Sequence, residues 1–166
     1  MALRLEPATP AEAPALAALH AAVAERLTRE FGSGHWSRPP SERGVLEGMK
    51  RGAVVYVARR RGRVIATLAL ATRKPWAIDK SYFSDSARPL YLTSMAVDPA
   101  LQRQGIGRLC MAEAARVARG WPADAIRLDA YDAPAGAGGF YARCGCAEMG
   151  RVSYKGTPLV YYEVRL

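Results

Sequence analysis

Apolar residues recur along this chain with two different periods. Leu16, Leu19, Val23 and Leu27 fall three to four apart in an Ala-rich stretch, the spacing of one helix face. Just before them, Thr9-Pro10-Ala11-Glu12 has the form of a helix start: a Thr cap, proline in the first turn and a carboxylate three residues on. The spacing predicts helix to about Glu30, with Pro14 loosening its first turn. Leu3 and Leu5 predict a short strand ahead of it. FGSGHWSRPP is loop by composition, and a second helix is expected near 41–50 with Val45, Leu46 and Met49 as its apolar side. The period then shortens to two. AVVYVARR and RVIATLALA, joined around Arg61-Gly62, predict an antiparallel hairpin. PLYLTSMAV and AIRLDAY (125–131) predict further strands, and a closing hairpin joins a strand near 147–154 through Lys155-Gly156 to PLVYYEVRL. A helix over 105–119 and a short, glycine-weakened one in PAGAGGFYARCG lie between them. Residues 73–89, holding Trp76, Tyr82 and Phe83, form a long polar loop of the kind that is functional or disordered.

This order predicts one mixed α/β domain over residues 1–166, with no repeat and no interdomain linker. The length suits one core. No apolar run approaches the roughly 20 residues that span a bilayer, and MALRLEPATP lacks the apolar centre of a signal peptide. Cys110, Cys144 and Cys146 are odd in number and form no zinc pattern. Reduced thiols, a cytoplasmic location and no metal are therefore expected. Net charge is +9, which admits nucleic acid, an anionic membrane surface or a polyanionic small molecule as partner. The basic residues are scattered apart from Arg59-Arg60-Arg61 with Arg63, read as a solvated hairpin tip. No aromatic–basic recognition motif supports nucleic acid, so neither it nor a membrane is expected as a partner.

Gln102-Arg103-Gln104-Gly105-Ile106-Gly107-Arg108 changes this picture. Two glycines stand where a helix begins, although glycine costs a helix about 1 kcal/mol relative to alanine. A helix start offers unpaired amides and the positive end of the dipole, an anion site. Gly105 and Gly107 would let a pyrophosphate approach without meeting a Cβ, while Arg103 and Arg108 add charge and Gln102 and Gln104 polar reach. The Gly-Lys-Ser/Thr ending of a nucleoside-triphosphatase loop is absent. The glycines also come too late in the chain for a dinucleotide fold. Gly-x-Gly alone is common.

In context the stretch resembles the GNAT superfamily of N-acetyltransferases, whose pyrophosphate loop is Gln/Arg-x-x-Gly-x-Gly/Ala. The preceding Met95-Ala96-Val97-Asp98-Pro99 and the later Phe140-Tyr141-Ala142-Arg143-Cys144-Gly145-Cys146 fit the same family. The resemblance is specific over about residues 90–150. It implies a single domain with a mixed central sheet of about six to seven strands, about four flanking helices and a splay at the central strand. It also implies acetyl-CoA as co-substrate, held by the backbone of Met95, Ala96 and Val97 and by residues 102–108, with direct acetyl transfer to a primary amine. Tyr141 is the implied general acid. Some relatives carry a glutamate where this chain has Tyr91, so the base is left open among Asp79, Asp85, Glu163 or water, and Asp129 is unassigned. Pro134 stands where many relatives have an asparagine contacting pantetheine, and the Gly136–Gly139 segment either admits the cofactor or is mobile. His35, Trp36, Trp76, Tyr82 and Phe83 are acceptor-side candidates, pointing to a partly apolar small-molecule amine. The alternatives are a protein lysine or N-terminus as acceptor, or a non-catalytic acyl-CoA-binding module. Monomer and homodimer are both admitted.

Overall fold

In a computed structural model describing residues 3–166, the period-two stretches become β1 (Leu5–Pro7), β2 (Val54–Arg60), β3 (Arg63–Ala71), β4 (Pro89–Val97), β5 (Ala125–Tyr131), β6 (Ala147–Tyr154) and β7 (Thr157–Arg165). Met1 and Ala2, included in the expected domain, lie outside the described residues. The helical stretches become α1 (Ala13–Phe31), α2 (Glu42–Lys50), α3 (Ile106–Gly120) and α4 (Gly138–Arg143). The strands form one sheet in the order β1-β2-β3-β4-β5-β7-β6. Only β4 and β5 run parallel, because α3 carries the chain back between them.

Each face of the sheet has its own cover. Ile106, Cys110, Ala114 and Ala118 recur every four residues on α3 and are buried against Tyr56, Ala66, Leu68, Leu90, Leu92, Ile126 and Leu128. The two alanines are fully buried, so the helix sits close to the sheet. On the other face, α1 lies over β3 and β4 with Ala13, Leu16 and Leu19 buried. The α1 start differs from expectation in detail. Glu12 accepts from the Thr9 amide at 2.9 Å, but residues 10–12 form a 3-10 turn and the α-helix begins at Ala13. Pro14 is tolerated in the first helical turn because an amide there would have no intrahelical partner.

Side-chain partners refine two other expectations. Arg59 does not belong to a solvated tip: its guanidinium bonds Glu12 at 2.6 and 2.9 Å and also meets Glu6, tying β2 to the start of α1. The loop at 73–88 is ordered and clamped onto β7 and β6. Ile78 is 1% exposed, the Tyr161 hydroxyl accepts from the Asp79 amide at 3.2 Å and donates to Ala77 O, and the Tyr82 ring lies on Gly150. A Cβ at Gly150 would stand 2.4 Å from that ring.

Candidate active site

Strands β4 and β5 each run on past their last pair. Pro89–Tyr91 pair with Ala125–Arg127, and beyond that no β4 residue pairs with β5. The cause is visible on the other edge of β4. Ala69 pairs with Thr93 and Thr67 with Ala96, so Ser94 and Met95 oppose Leu68 alone. Such a bulge bends and twists its strand. Ser94 takes φ +52° and is exposed in mid-strand, a conformation costly for a residue with a Cβ. Met95, Ala96 and Val97 thus follow a bulge, with Ala96 and Val97 paired to β3 on one side and open to the split on the other.

A buried cluster bolts the closed end of the split. Arg127 Nε donates to Glu163 Oε2 at 2.9 Å, its Nη2 to Ser84 O at 2.7 Å, and its Nη1 to the Tyr91 hydroxyl at 3.3 Å. Phe83 lies 5.0 Å from the guanidinium, and Ser84 Oγ donates to Glu163. Tyr91, Arg127 and Glu163 are all under 5% exposed. Phe83 therefore serves the frame rather than an acceptor, and Glu163, a candidate base, is committed to Arg127 and Ser84 at the closed end. Asp79 and Asp85 are also displaced from that role. Asp79 is held below its ordinary pKa by hydrogen bonds from the Ser81 hydroxyl and amide. Asp85 is exposed near Arg165, at the closed end.

At the open end, the glycine stretch has two separate reasons. Gly105 caps α3 in the left-handed conformation (φ +81°) with nothing within 4 Å of a Cβ built there. The first bond into α3 runs from Leu109 N to Gly105 O at 3.1 Å, so the amides of Ile106, Gly107 and Arg108 face out of the helix end. Gly107 is small for another reason: a Cβ there would stand 3.0 Å from the Phe140 ring. Arg103, Gln104 and Arg108 are exposed around this end. Gln102 turns inward. Its Nε2 donates to Val97 O at 3.0 Å and its Oε1 accepts from Arg26 at 2.8 Å, so it braces the turn and adds no polar reach.

Tyr141, on α4, reaches the split from the α3 face. Its ring packs against Phe140 and Tyr162, and its hydroxyl finds only the Met95 sulfur, at 3.9 Å. Burial, the largest cause, pushes the phenol well above its ordinary pKa. The glycines near α4 serve packing: a Cβ on Gly136 would overlap Tyr131 O, at 1.8 Å.

Asp129 is the carboxylate on this side of the split that the sequence reading left unassigned. Ile126, Leu128 and Ala130 fill the α3 face of β5, so Arg127, Asp129 and Tyr131 share the other. Arg127 is spent on Glu163. Asp129 is half-buried, has no ion-pair partner among the described residues, and burial raises its carboxyl above the usual carboxylate range. His35 stacks on Tyr131 with ring centroids 6.0 Å apart, Trp36 meets the same ring edge-on, and His35 Nε2 bonds Thr157 Oγ1 at 2.8 Å. The two acceptor-side candidates in the α1–α2 loop are thus brought beside the split. Among the described residues no group of His, Cys, Asp and Glu side chains is arranged to hold a metal, and no helix is long and apolar enough to cross a membrane.

A model of the acetyltransferase (GNAT) family matches residues 21–146. The chain belongs to the GNAT acetyltransferase family. Solved structures extend the likeness to the whole GNAT fold. An acetyltransferase of the GNAT family from Listeria monocytogenes superposes with a TM-score of 0.74 at 17% identity, covering 99% of this chain and 95% of that one. A ribosomal-protein-alanine N-acetyltransferase from Brucella melitensis gives 0.71 at 22% identity, covering 98% and 99%. An acetyltransferase from Thermus thermophilus gives 0.71 at 18%, covering 100% and 98%. At these identities the likeness concerns the fold. No curated protein sequence matches the chain. The seven-stranded sheet and four helices agree with the GNAT architecture expected from the motifs.

Proposed function

We propose that this GNAT chain transfers an acetyl group from acetyl-CoA to a primary amine by direct attack, with both substrates bound. The observation that carries the reading is the split itself. An unpaired β4 edge runs from the open amides of α3 to a point flanked by Tyr141 on one face and Asp129 on the other. The residues present fit coenzyme A. The outward amides of Ile106, Gly107 and Arg108, with Arg103 and Arg108, would hold its diphosphate, and the open edge of Met95–Val97 would hold its extended arm as an added strand. Bound acetyl-CoA supplies an activated acyl thioester.

The chain's own residues then manage protons and charge. An acceptor amine of pKa near 10 is only about 0.1% neutral at pH 7, so a base must take its proton. Asp129 is that base in this reading: it faces the acceptor side, lacks a cationic partner, and its raised pKa brings it nearer the working pH. A backbone amide of β4 aimed at the thioester oxygen contributes about 3 kcal/mol of charge stabilisation. Tyr141, kept protonated by burial, donates to the departing sulfur. The acceptor is read as a small partly apolar amine; because the Brucella structure's name specifies a ribosomal-protein alanine, peptides with free N-termini belong in the test panel.

The test is amine-dependent release of free thiol from acetyl-CoA across that panel, for the wild type and for Asp129→Asn. The reading expects turnover in the wild type and a loss of about a hundredfold or more in kcat for the variant, with little change in coenzyme A affinity. Coenzyme A binding without turnover on any amine would instead make the chain an acyl-CoA-binding module.

A further inference from the structure

Trp76, another acceptor-side candidate, is 81% exposed and lines a groove between the 73–88 loop and residues 152–154; Asp129 is not among the residues lining it. The segment brought to the β5 end beside Asp129 is instead the α1–α2 loop. In the reading above a thioester lies on β4 and its base on β5. These strands stop pairing at Tyr91 and Arg127, so their separation on the acceptor face needs another restraint.

A chain of hydrogen bonds runs from one strand end to the other. Gln102 Nε2 donates to Val97 O, at the end of β4, at 3.0 Å. Gln102 Oε1 accepts from Arg26 Nη1 at 2.8 Å, and the same nitrogen donates to Pro99 O at 3.0 Å. Arg26 thus joins α1 to the turn between β4 and α3. Two residues on, the Thr28 and Ser37 hydroxyls meet at 2.6 Å. Ser37 Oγ accepts from the Gly34 amide at 3.0 Å, Ser37 N donates to Gly34 O at 3.0 Å, and Trp36 Nε1 donates to Gly32 O at 2.9 Å. These bonds hold the loop to the last turns of α1. The loop in turn delivers His35 and Trp36 to Tyr131, the last residue of β5, and His35 to Thr157, the first of β7.

Both acceptors of Arg26 are neutral carbonyl oxygens, so reach and donor number hold it there, not an ion pair. Pro99 and Gln102 lie on the turn that leads from the open β4 edge to the outward amides of α3. A ligand that fixes this turn therefore also fixes Arg26, and with it α1 and its loop.

We propose that Arg26 is a positioning residue: through Gln102 it couples the coenzyme A turn to the α1–α2 loop, and so sets the distance at which a thioester on β4 meets an amine at Asp129. The proposal rests on the acetyltransferase reading and adds the element that brings its two halves into register. Reacting atoms must approach to about 3–3.5 Å, and a misplacement of about 1 Å can cost a hundredfold in rate. Arg26 touches neither substrate in this arrangement, so its loss lowers kcat without removing a cofactor contact.

The amides of Gly32, Gly34 and Ser37, which donate to Thr28 O, Ser37 Oγ and Gly34 O, report on the loop. Residue-resolved hydrogen exchange with and without coenzyme A tests the coupling. In the wild type coenzyme A should slow exchange at these amides by about threefold or more, together with Ile106–Arg108. In Arg26→Gln the loop response should vanish while that of Ile106–Arg108 persists, and Arg26→Lys, which keeps charge and donors, should restore part of it. Thr28→Val, further along the chain of bonds, should decouple the loop in the same way. A purely structural role for Arg26 would speed loop exchange equally with and without coenzyme A and leave the response to coenzyme A intact. In the thiol-release assay, Arg26→Gln should lose about tenfold or more in kcat, with coenzyme A affinity within about threefold of the wild type. The proposal is overturned if the wild-type loop ignores coenzyme A while Ile106–Arg108 respond, or if the loop response survives in Arg26→Gln. Should that variant not fold, Thr28→Val decides by the same criterion. If Ile106–Arg108 do not respond either, the cofactor reading itself fails, and the coupling falls with it.

Discussion

Asp129 is where stability and chemistry pull apart. A half-buried carboxylate with no cationic partner costs folding free energy when ionised, and its pKa is raised accordingly. For an acid raised in the folded state, the native form holds its proton more tightly than the unfolded form. Its ionisation therefore destabilises the protein as pH rises through the folded value. Asp129→Asn should raise Tm at neutral pH while kcat falls, a combination that a purely structural role would not produce. In the wild type, kcat/KM should rise with pH through a midpoint above the ordinary carboxylate range near 3.9, and this limb should be missing from the variant. Tyr141→Phe should lower kcat by only about ten- to a hundredfold, because a thiolate of pKa near 8.5 leaves without much help. Unchanged kcat with the best acceptor would remove Tyr141 from the mechanism. Gly107→Ala should impair kcat as well as coenzyme A affinity, since its methyl displaces Phe140, the neighbour of Tyr141.

At the scale of elements, the split depends on a bulge at one end and a bolt at the other. Removing one partner of a buried, hydrogen-bonded ion pair typically costs about 3–5 kcal/mol. Glu163→Gln, which strands Arg127 among Tyr91, Phe83 and Ser84, should lower stability by that order in urea denaturation. A loss below about 1 kcal/mol would show that the cluster does not hold the closed end. Most element boundaries were legible because local signals agreed: β4, β5 and β6 have the bounds expected from the sequence, and the Lys155-Gly156 turn joins β6 to β7 as predicted. The start of α1 was less so, since Thr9–Glu12 satisfies a capping pattern that the chain uses for a 3-10 turn. The bulge was illegible. Ser94 carries no glycine or proline signal, and only the register against β3 shows that two residues face one. Candidate site residues divided the same way. The glycine turn and Tyr141 stand in motifs. Asp129 was half-legible, because Ile126, Leu128 and Ala130 assign it to the opposite face but not to an uncovered patch of that face. Glu163 misled as a candidate base because Arg127, its partner, lies 36 residues away in the chain.

Over the whole molecule, the +9 charge acquires a use that its scattered arrangement does not announce. Arg59 and Arg63 are engaged by Glu6, Glu12 and Asp98, whereas Arg103 and Arg108 stand exposed at the open helix end. A positive molecule with exposed arginines at the first turn of α3 attracts a polyanion, and salt screens that attraction over about 10 Å at 0.1 M. KM for acetyl-CoA should accordingly rise several-fold between low and high salt, measured with a neutral acceptor at constant pH. The central claim, that coenzyme A lies along the open edge of β4 with its diphosphate on the first turn of α3, is tested most directly by residue-resolved amide hydrogen exchange with and without coenzyme A. The account predicts slowed exchange concentrated in Ser94–Val97 and Ile106–Arg108; binding that leaves both segments unchanged while protecting another part of the sheet would contradict it.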